Sequence, residues 1–488
     1  MQSERKSFLK NMVGFSMTTW ISFALGFIAS PLATRLVLPQ ELAQVSLFST
    51  YAGLFSSLCY AGLDQAYVRF FREPPNRITT KTLFNFCVFV VLAIGIMVSV
   101  CLFFFIKPLS VAIAGKIDWR IICCLVVYIG GIILFRFLSL NYRMENNAML
   151  YTIQGVVYAF LTKLAYLTVG FGAAKGVQAI MLLTCLMCAF SIVAVFVQRK
   201  RFSIKSLKLI NKKAVSEIAI FSLPLVPLAL FSYINNSMSQ LALNSLMGKM
   251  ETGIFSSALG LASTVNIIQS GFNTYWAPYV MENYATNKKN RFDAVHKLMA
   301  CILCLFGLTL TLFQSQLFLF LGENYRSAMV FFPFLVMSPI CYCLGETTGL
   351  GITLSKKTYW TTIIYMVTAC MNIALCYLLI PLEGMAGAAM ASAFTAVVTL
   401  ILRTIVGEHF YKAIEKWWYL FWAIGLMLCG SFVSLYLRGA VKYTVISMLL
   451  LIALFIFRAE ARILWNLIVE IFETLKRKIC RKSDKKEK

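Results

Sequence analysis

The chain has 488 residues, of which 60% are hydrophobic and only 13% charged, with a mean hydropathy of +0.78. Soluble proteins carry roughly a quarter charged residues, so this balance excludes an ordinary soluble domain. The net charge of +25 comes from Lys and Arg grouped in alternate loops, which makes it a matter of membrane topology and not of nucleic-acid binding.

Apolar runs of about 20 residues recur from end to end, each long enough to cross a hydrocarbon core of ~30 Å. Fourteen spans are predicted: near 13–35, 42–62, 83–106, 120–140, 150–171, 177–197, 217–241, 252–277, 298–319, 328–350, 359–380, 385–403, 417–436 and 443–457. The expected fold is an all-α polytopic membrane protein with two related six-helix lobes around a cavity and two further helices. Residues 1–198 form the first lobe, 199–216 a basic linker, 217–404 the second lobe, 405–457 the last two helices, and 458–488 an amphipathic basic tail. The first span is too long and too polar at its start for a cleaved signal peptide, so it reads as retained. The positive-inside rule puts both termini in the cytoplasm.

The first span ends at Pro31-Leu32 and Arg35, and a tight turn at Leu38-Pro39 leads into the second. The second span ends on Gly62-Leu63-Asp64-Gln65, with Arg69 one turn on. Charge costs about 2.5–3.5 kcal/mol at a helix centre on insertion scales, so charge this close to the membrane boundary is expected to face a partner or a wet cavity. The fifth span carries Gln154 and Lys163, the most deeply placed cation in the chain. Lys163 either lines a cavity or snorkels within the bundle.

The seventh span opens with Pro224 and Pro227 and continues through Asn235, Asn236 and Gln240. So many hydrogen-bonding groups suit a wet face or interhelical bonding. The eighth echoes the second: Glu251-Thr252-Gly253 parallels Glu41, and Gly271-Phe272-Asn273 parallels Gly62-Leu63-Asp64. It also holds Tyr275, Trp276 and Pro278. Such repeated halves with a midplane cavity are a transporter plan. The tenth span contains Glu346, which would pair with a cation, bind a coupling ion or lie near the interface.

Fifteen cysteines include the spacings Cys185/Cys188 and Cys301/Cys304, but only apolar residues lie between them. The two histidines, His296 and His409, fall in predicted loops, so packing and not metal chemistry is expected. No phosphate-binding Gly-Lys-Ser/Thr loop and no loop large enough for a catalytic domain is present, which argues against an enzyme.

Taken together, Pro31-Leu32, Arg35, Pro39 and Glu41, the run Gly62 to Phe71, Ser222 to Pro227, Glu251 to Phe255 and Trp276-Ala277-Pro278 resemble Wzx-type polysaccharide flippases. These belong to the multidrug/oligosaccharidyl-lipid/polysaccharide exporter superfamily. Ala43 departs from the pattern, which often has glycine there. The resemblance implies two lobes around a V-shaped cavity in a bacterial cytoplasmic membrane. It also implies alternating-access transport of an undecaprenyl-pyrophosphate-linked oligosaccharide for O-antigen, capsule or similar surface polysaccharide, beside polymerase or glycosyltransferase partners. On that reading Arg35, Arg69 and Lys163 are candidate phosphate-binding cations, and Asn235, Asn236, Asn273, Tyr275 and Trp276 are candidate sugar contacts. Asp64 and Glu346 would hold the cations or bind a coupling proton or sodium ion; no other cofactor is implied. A drug or metabolite exporter of the same superfamily, and a membrane scaffold that transports nothing, are the competing readings.

Overall fold

Backbone that crosses lipid has to satisfy its own N–H and C=O groups, and a helix does so within one segment. In a computed structural model of the protein, every regular element among the described residues is a helix. The structure describes residues 20–469, apart from 23, 171–175, 208–209, 285–288, 356 and 467–468 and the side chains of some helical positions. It is a multi-pass membrane bundle of two lobes.

The first lobe contains α1 (Trp20–Leu36), α2 (Pro39–Tyr60), α3 (Leu63–Phe70), α4 (Thr80–Phe104), α5 (Ile106–Ala114), α6 (Trp119–Met144), α7 (Ala148–Gly170) and α8 (Gly176–Val197). Pro39 sits at the first position of α2, where its missing N–H costs nothing. Gly62 separates α2 from α3 at φ +72°, and a Cβ there would stand 2.4 Å from the Ser222 carbonyl oxygen, so only glycine fits. The connector holds α9 (Ile204–Leu207) and α10 (Lys212–Ser222), after which Leu223-Pro224 turns the chain into α11 (Leu225–Leu246). The second lobe continues with α12 (Lys249–Ala262), α13 (Asn266–Asn283), α14 (Lys289–Leu312), α15 (Gln314–Leu319), α16 (Phe332–Thr348), α17 (Leu350–Leu354), α18 (Tyr359–Glu383) and α19 (Met385–Phe410). Two last helices, α20 (Trp418–Tyr436) and α21 (Gly439–Ile456), pack outside it against α14. Helix resumes over 458–466; the rest of the expected tail beyond 469 lies outside the described residues.

Among the described residues, ten helical runs are long and apolar enough to span a membrane, and the segment Glu323–Val330 with α16, bent by 63°, makes an eleventh. The count of fourteen expected from hydropathy is not reached on that measure. The first and fifth runs supply shorter apolar stretches, Trp20–Leu36 and Ala148–Leu164, and a 3-10 turn at Ser263–Val265 breaks the eighth into α12 and α13. That break also limits the internal echo. The second span breaks at Ala61-Gly62, whereas Gly271-Phe272-Asn273 lies inside α13, so Asn273 is not the geometric counterpart of Asp64.

Lipid gives helices little hydrophobic reason to associate, so close approach by small residues matters. The run from Ala386 to Ala396 does this, with Ala388, Ala389, Ala391 and Ala393 fully buried. The two lobes meet by the same device. At Gly253 of α12, an added Cβ would lie 1.8 Å from the Pro39 carbonyl oxygen at the start of α2.

Around this crossing, at the end away from the basic loops, the lobes are stitched together. Tyr325 donates to the Val37 carbonyl at 2.9 Å, and the Gly322 N–H donates to the Thr34 hydroxyl at 3.3 Å. Arg35 donates to the carbonyls of Phe320 (3.0 Å) and Leu319 (3.4 Å), at the C-terminus of α15. In the reverse direction, Lys249 donates to Ala112 (2.9 Å) and Val111 (3.3 Å) in the last turn of α5. Each lobe thus lends a cation to a helix C-terminus of the other, where the dipole favours positive charge.

A methyl group at Gly253 has to push two backbones apart. Gly253→Ala is expected to destabilise the protein by about 1–3 kcal/mol, read as an earlier thermal transition in detergent. Gly425→Ala, where the methyl meets nothing within 4 Å, should leave the transition unchanged or raise it. The clamp is testable by access: Val37 is buried, so Val37→Cys, without other reactive cysteines, should react slowly with maleimide. Adding Arg35→Ala and Lys249→Ala should speed labelling roughly tenfold, the effect of about 1.4 kcal/mol of lost closure.

Candidate functional site

Between the lobes lies a cavity in two adjoining parts, both touching Leu259 and Ser263 beside the 3-10 break. The break exists because Ser263–Val265 tightens the helix locally, a feature often found at functional positions.

The first part, about 370 Å³, is walled by α1, α2, α7, α11 and α12. Its surface is rich in hydroxyls, among them Ser30, Thr34, Ser46, Ser49, Thr50 and Ser256, with the amide of Gln240. Gln240 ties the lobes together there: it donates to Ser46 (2.8 Å) and Ser256 (2.9 Å) and accepts from Thr50 (3.0 Å). Tyr233 adds a bond to the Thr50 carbonyl at 2.7 Å. Lys163 is the one ionised side chain among the described residues lining this part. It reaches across from α7 until its stem lies 3.8 Å from where a Cβ on Gly26 of α1 would be.

The second part, about 470 Å³, belongs to the second lobe and has no ionised side chain among its described lining residues. Asn235 is buried there at 6% exposure and donates to Thr368 (2.9 Å) and the Tyr365 carbonyl (3.3 Å). Its Oδ1 has no hydrogen-bond partner. Asn236, one residue on, is exposed to the cavity and anchored to the Ser232 carbonyl at 3.0 Å. Tyr342 and Tyr365 stack with ring centres 6.4 Å apart and planes within 6°.

The other sequence candidates stand elsewhere. Arg35 is outside the cavity, bonded to carbonyls of the far-end clamp, because its helix ends there. Arg69 is exposed on the last turn of α3 and lines neither part. Trp276 is 3% exposed, packed between Phe272 and Tyr279, and its indole N–H donates to the Glu346 carbonyl at 3.1 Å. It is a core residue, not a surface for sugar. Asn273 lines neither part, although its Oδ1 is buried without a partner. The side chain of Tyr275 lies outside the described residues. His296, expected in a loop, is fully buried on α14, with Nδ1 2.8 Å from the Thr347 hydroxyl.

The two acids pair with arginines that sequence reasoning did not single out. Asp64 accepts from Arg136 Nη2 at 2.8 Å and Nε at 3.3 Å, and from Gln65 at 3.0 Å. Glu346 accepts from Arg403 at 3.4 Å. The sequence signal available was spacing along the bundle: each arginine lies inside an apolar span, where an unpaired charge is expensive. Outside the spans, Arg201 of the basic connector forks onto Glu145, and that hydrogen bond holds its pKa above the ordinary value.

Comparisons agree with this architecture. A family model described as "Polysaccharide biosynthesis protein" matches residues 8–284. The capsular polysaccharide biosynthesis protein CapF of Staphylococcus aureus is 23% identical over 279 residues, 56% of this chain and 69% of that protein. Among solved structures, lipid II flippase MurJ in an inward closed conformation superposes with a TM-score of 0.66 at 13% identity, over 93% of this chain and 99% of MurJ. An inward-facing multidrug resistance MATE family transporter of the MOP superfamily gives 0.54 at 16% identity, over 79% and 94%. With more than half of its length matched, the chain belongs to the polysaccharide biosynthesis protein family, and its two-lobed bundle has the fold of the MOP superfamily transporters.

Proposed function

We propose that the protein is a flippase that moves an undecaprenyl-pyrophosphate-linked oligosaccharide from the cytoplasmic to the outer leaflet of a bacterial cytoplasmic membrane, for surface polysaccharide assembly. The observation that carries this reading is Lys163, set in a hydroxyl-lined cavity between two lobes. A diphosphate needs a cation and several hydrogen-bond donors in place of water, and charge-assisted bonds supply the strongest of these. Lys163 is the donor with charge; the hydroxyls of Ser30 and Ser46, lining the same cavity, are neutral ones. The lipid tail stays in the bilayer while the headgroup occupies the cavity.

Positive-inside placement makes the basic end cytoplasmic, with both termini on that side, and the clamped end outer. The clamp of Arg35 and Lys249 then keeps the outer face shut while the substrate enters from the cytoplasm. Asp64 and Glu346 serve as counter-ions to Arg136 and Arg403. If a proton or sodium ion drives transport, these carboxylates are where it would bind. Capsule, O-antigen or a similar polymer is the destination, and a polymerase or glycosyltransferase is the natural neighbour. A drug exporter of organic cations would place acids in this cavity, and neither part has one among its described lining residues.

The test is transport. In a strain lacking the chromosomal copy, Lys163→Ala at normal protein level should accumulate lipid-linked precursor and lower surface glycan roughly 10- to 100-fold, matching about 1.5–3 kcal/mol for a charged hydrogen bond. Lys163→Arg should retain much of the activity. Undiminished surface glycan in the alanine variant would remove Lys163 from substrate binding and favour a scaffold.

A further inference from the structure

We infer that the second-lobe part of the cavity is a subsite for uncharged sugar, so that the protein selects lipid-linked glycans whose residues next to the diphosphate carry no carboxylate. The inference rests on the flippase reading and adds the chemical class of the headgroup. The two parts of the cavity adjoin at Leu259 and Ser263, so a diphosphate beside Lys163 delivers its first sugars into the second part. At about 470 Å³ the volume lies within the 300–1,000 Å³ of ordinary ligand pockets.

The lining there is amide, hydroxyl and aromatic. Asn235 Oδ1, on a side chain 94% buried, has no donor facing it and is oriented by two bonds from its own Nδ2. A sugar hydroxyl or an acetamido N–H supplies the missing donor; a carboxylate, which only accepts, does not. Asn236, Asn266 and Gln269 add amides that donate and accept, and the stacked Tyr342 and Tyr365 offer a flat surface to the C–H face of a pyranose. Arg403, which bonds the Tyr365 side chain, is paired with Glu346 at 3.4 Å, so its charge is already matched. A uronic acid entering this space would lose hydration and meet no cation among the described lining residues, which is costly for an ionised group.

Purified full-length protein in proteoliposomes would be given three lipids: undecaprenyl diphosphate bearing N-acetylglucosamine, bearing glucuronic acid, and bearing no sugar. The neutral glycolipid should be flipped at least about tenfold faster than the uronic acid lipid, given the cost of an unpaired buried carboxylate. Asn236→Lys adds the absent cation at an exposed cavity position and should narrow or reverse that ratio. Equal rates for the two glycolipids, with an unchanged ratio in Asn236→Lys, would overturn the subsite and leave the flippase standing. Movement of none of the three lipids would overturn the flippase reading, and the subsite with it.

Discussion

The contact on which the rest of the architecture hangs is the crossing of α2 and α12, where Gly253 lets two backbones approach as closely as atoms permit. In lipid, side-chain burial contributes little to helix association, and close backbone packing with polar bonds takes over. Everything nearby is positioned by this crossing. It brings Lys249 to the end of α5, sets Val37 under Tyr325, and lays Ser46 and Thr50 beside Gln240. The cavity begins just past it, at Leu42 and Ser256, and runs on to the 3-10 break at Ser263.

Cost of charge in the membrane explains where the ionised residues settle. Asp64 and Arg136, and Glu346 and Arg403, form pairs within single lobes, so neither depends on the lobes staying together. The interlobe bonds at the far end instead use cations on backbone carbonyls, a partner that needs no second charge. Such bonds can be broken and remade without stranding an opposite charge in lipid. On the proposed flippase reading, lobes that must part gain from keeping these ion pairs inside each lobe and neutral acceptors across the far-end seam.

Much of the fold was legible in the sequence, since apolar runs and alternating basic loops follow from the thickness of a bilayer. Lys163 was legible too: an ammonium in an apolar helix far from both ends has few places to go except a cavity. Arg35 and Trp276 misled because type and position in a motif say nothing of direction. Arg35 turns along the helix end to bare carbonyls, and Trp276 turns inward onto Phe272 and Tyr279. Arg136 and Arg403 were passed over because the sequence shows charges one at a time, whereas their meaning lies in partners 72 and 57 residues away. The break in α12 carries no proline, and Ser263 and Thr264 alone do not announce it.

A carrier that releases its cargo each cycle cannot bind it too well, since affinity spent equally on every state only slows departure. The cavity is consistent with that limit. One ammonium among hydroxyls holds a diphosphate less tightly than several guanidinium forks would, because bidentate arginine contacts are the stronger anion ligands. The arginines that this protein does place in its membrane core, Arg136 and Arg403, are held by carboxylates. On the proposed reading, neutral amides and tyrosines in the second lobe would distinguish the headgroup by fit and hydrogen bonding, which screen a sugar without trapping it. On this account the scarcity of ionised side chains among the described lining residues follows from turnover as much as from the cost of burial.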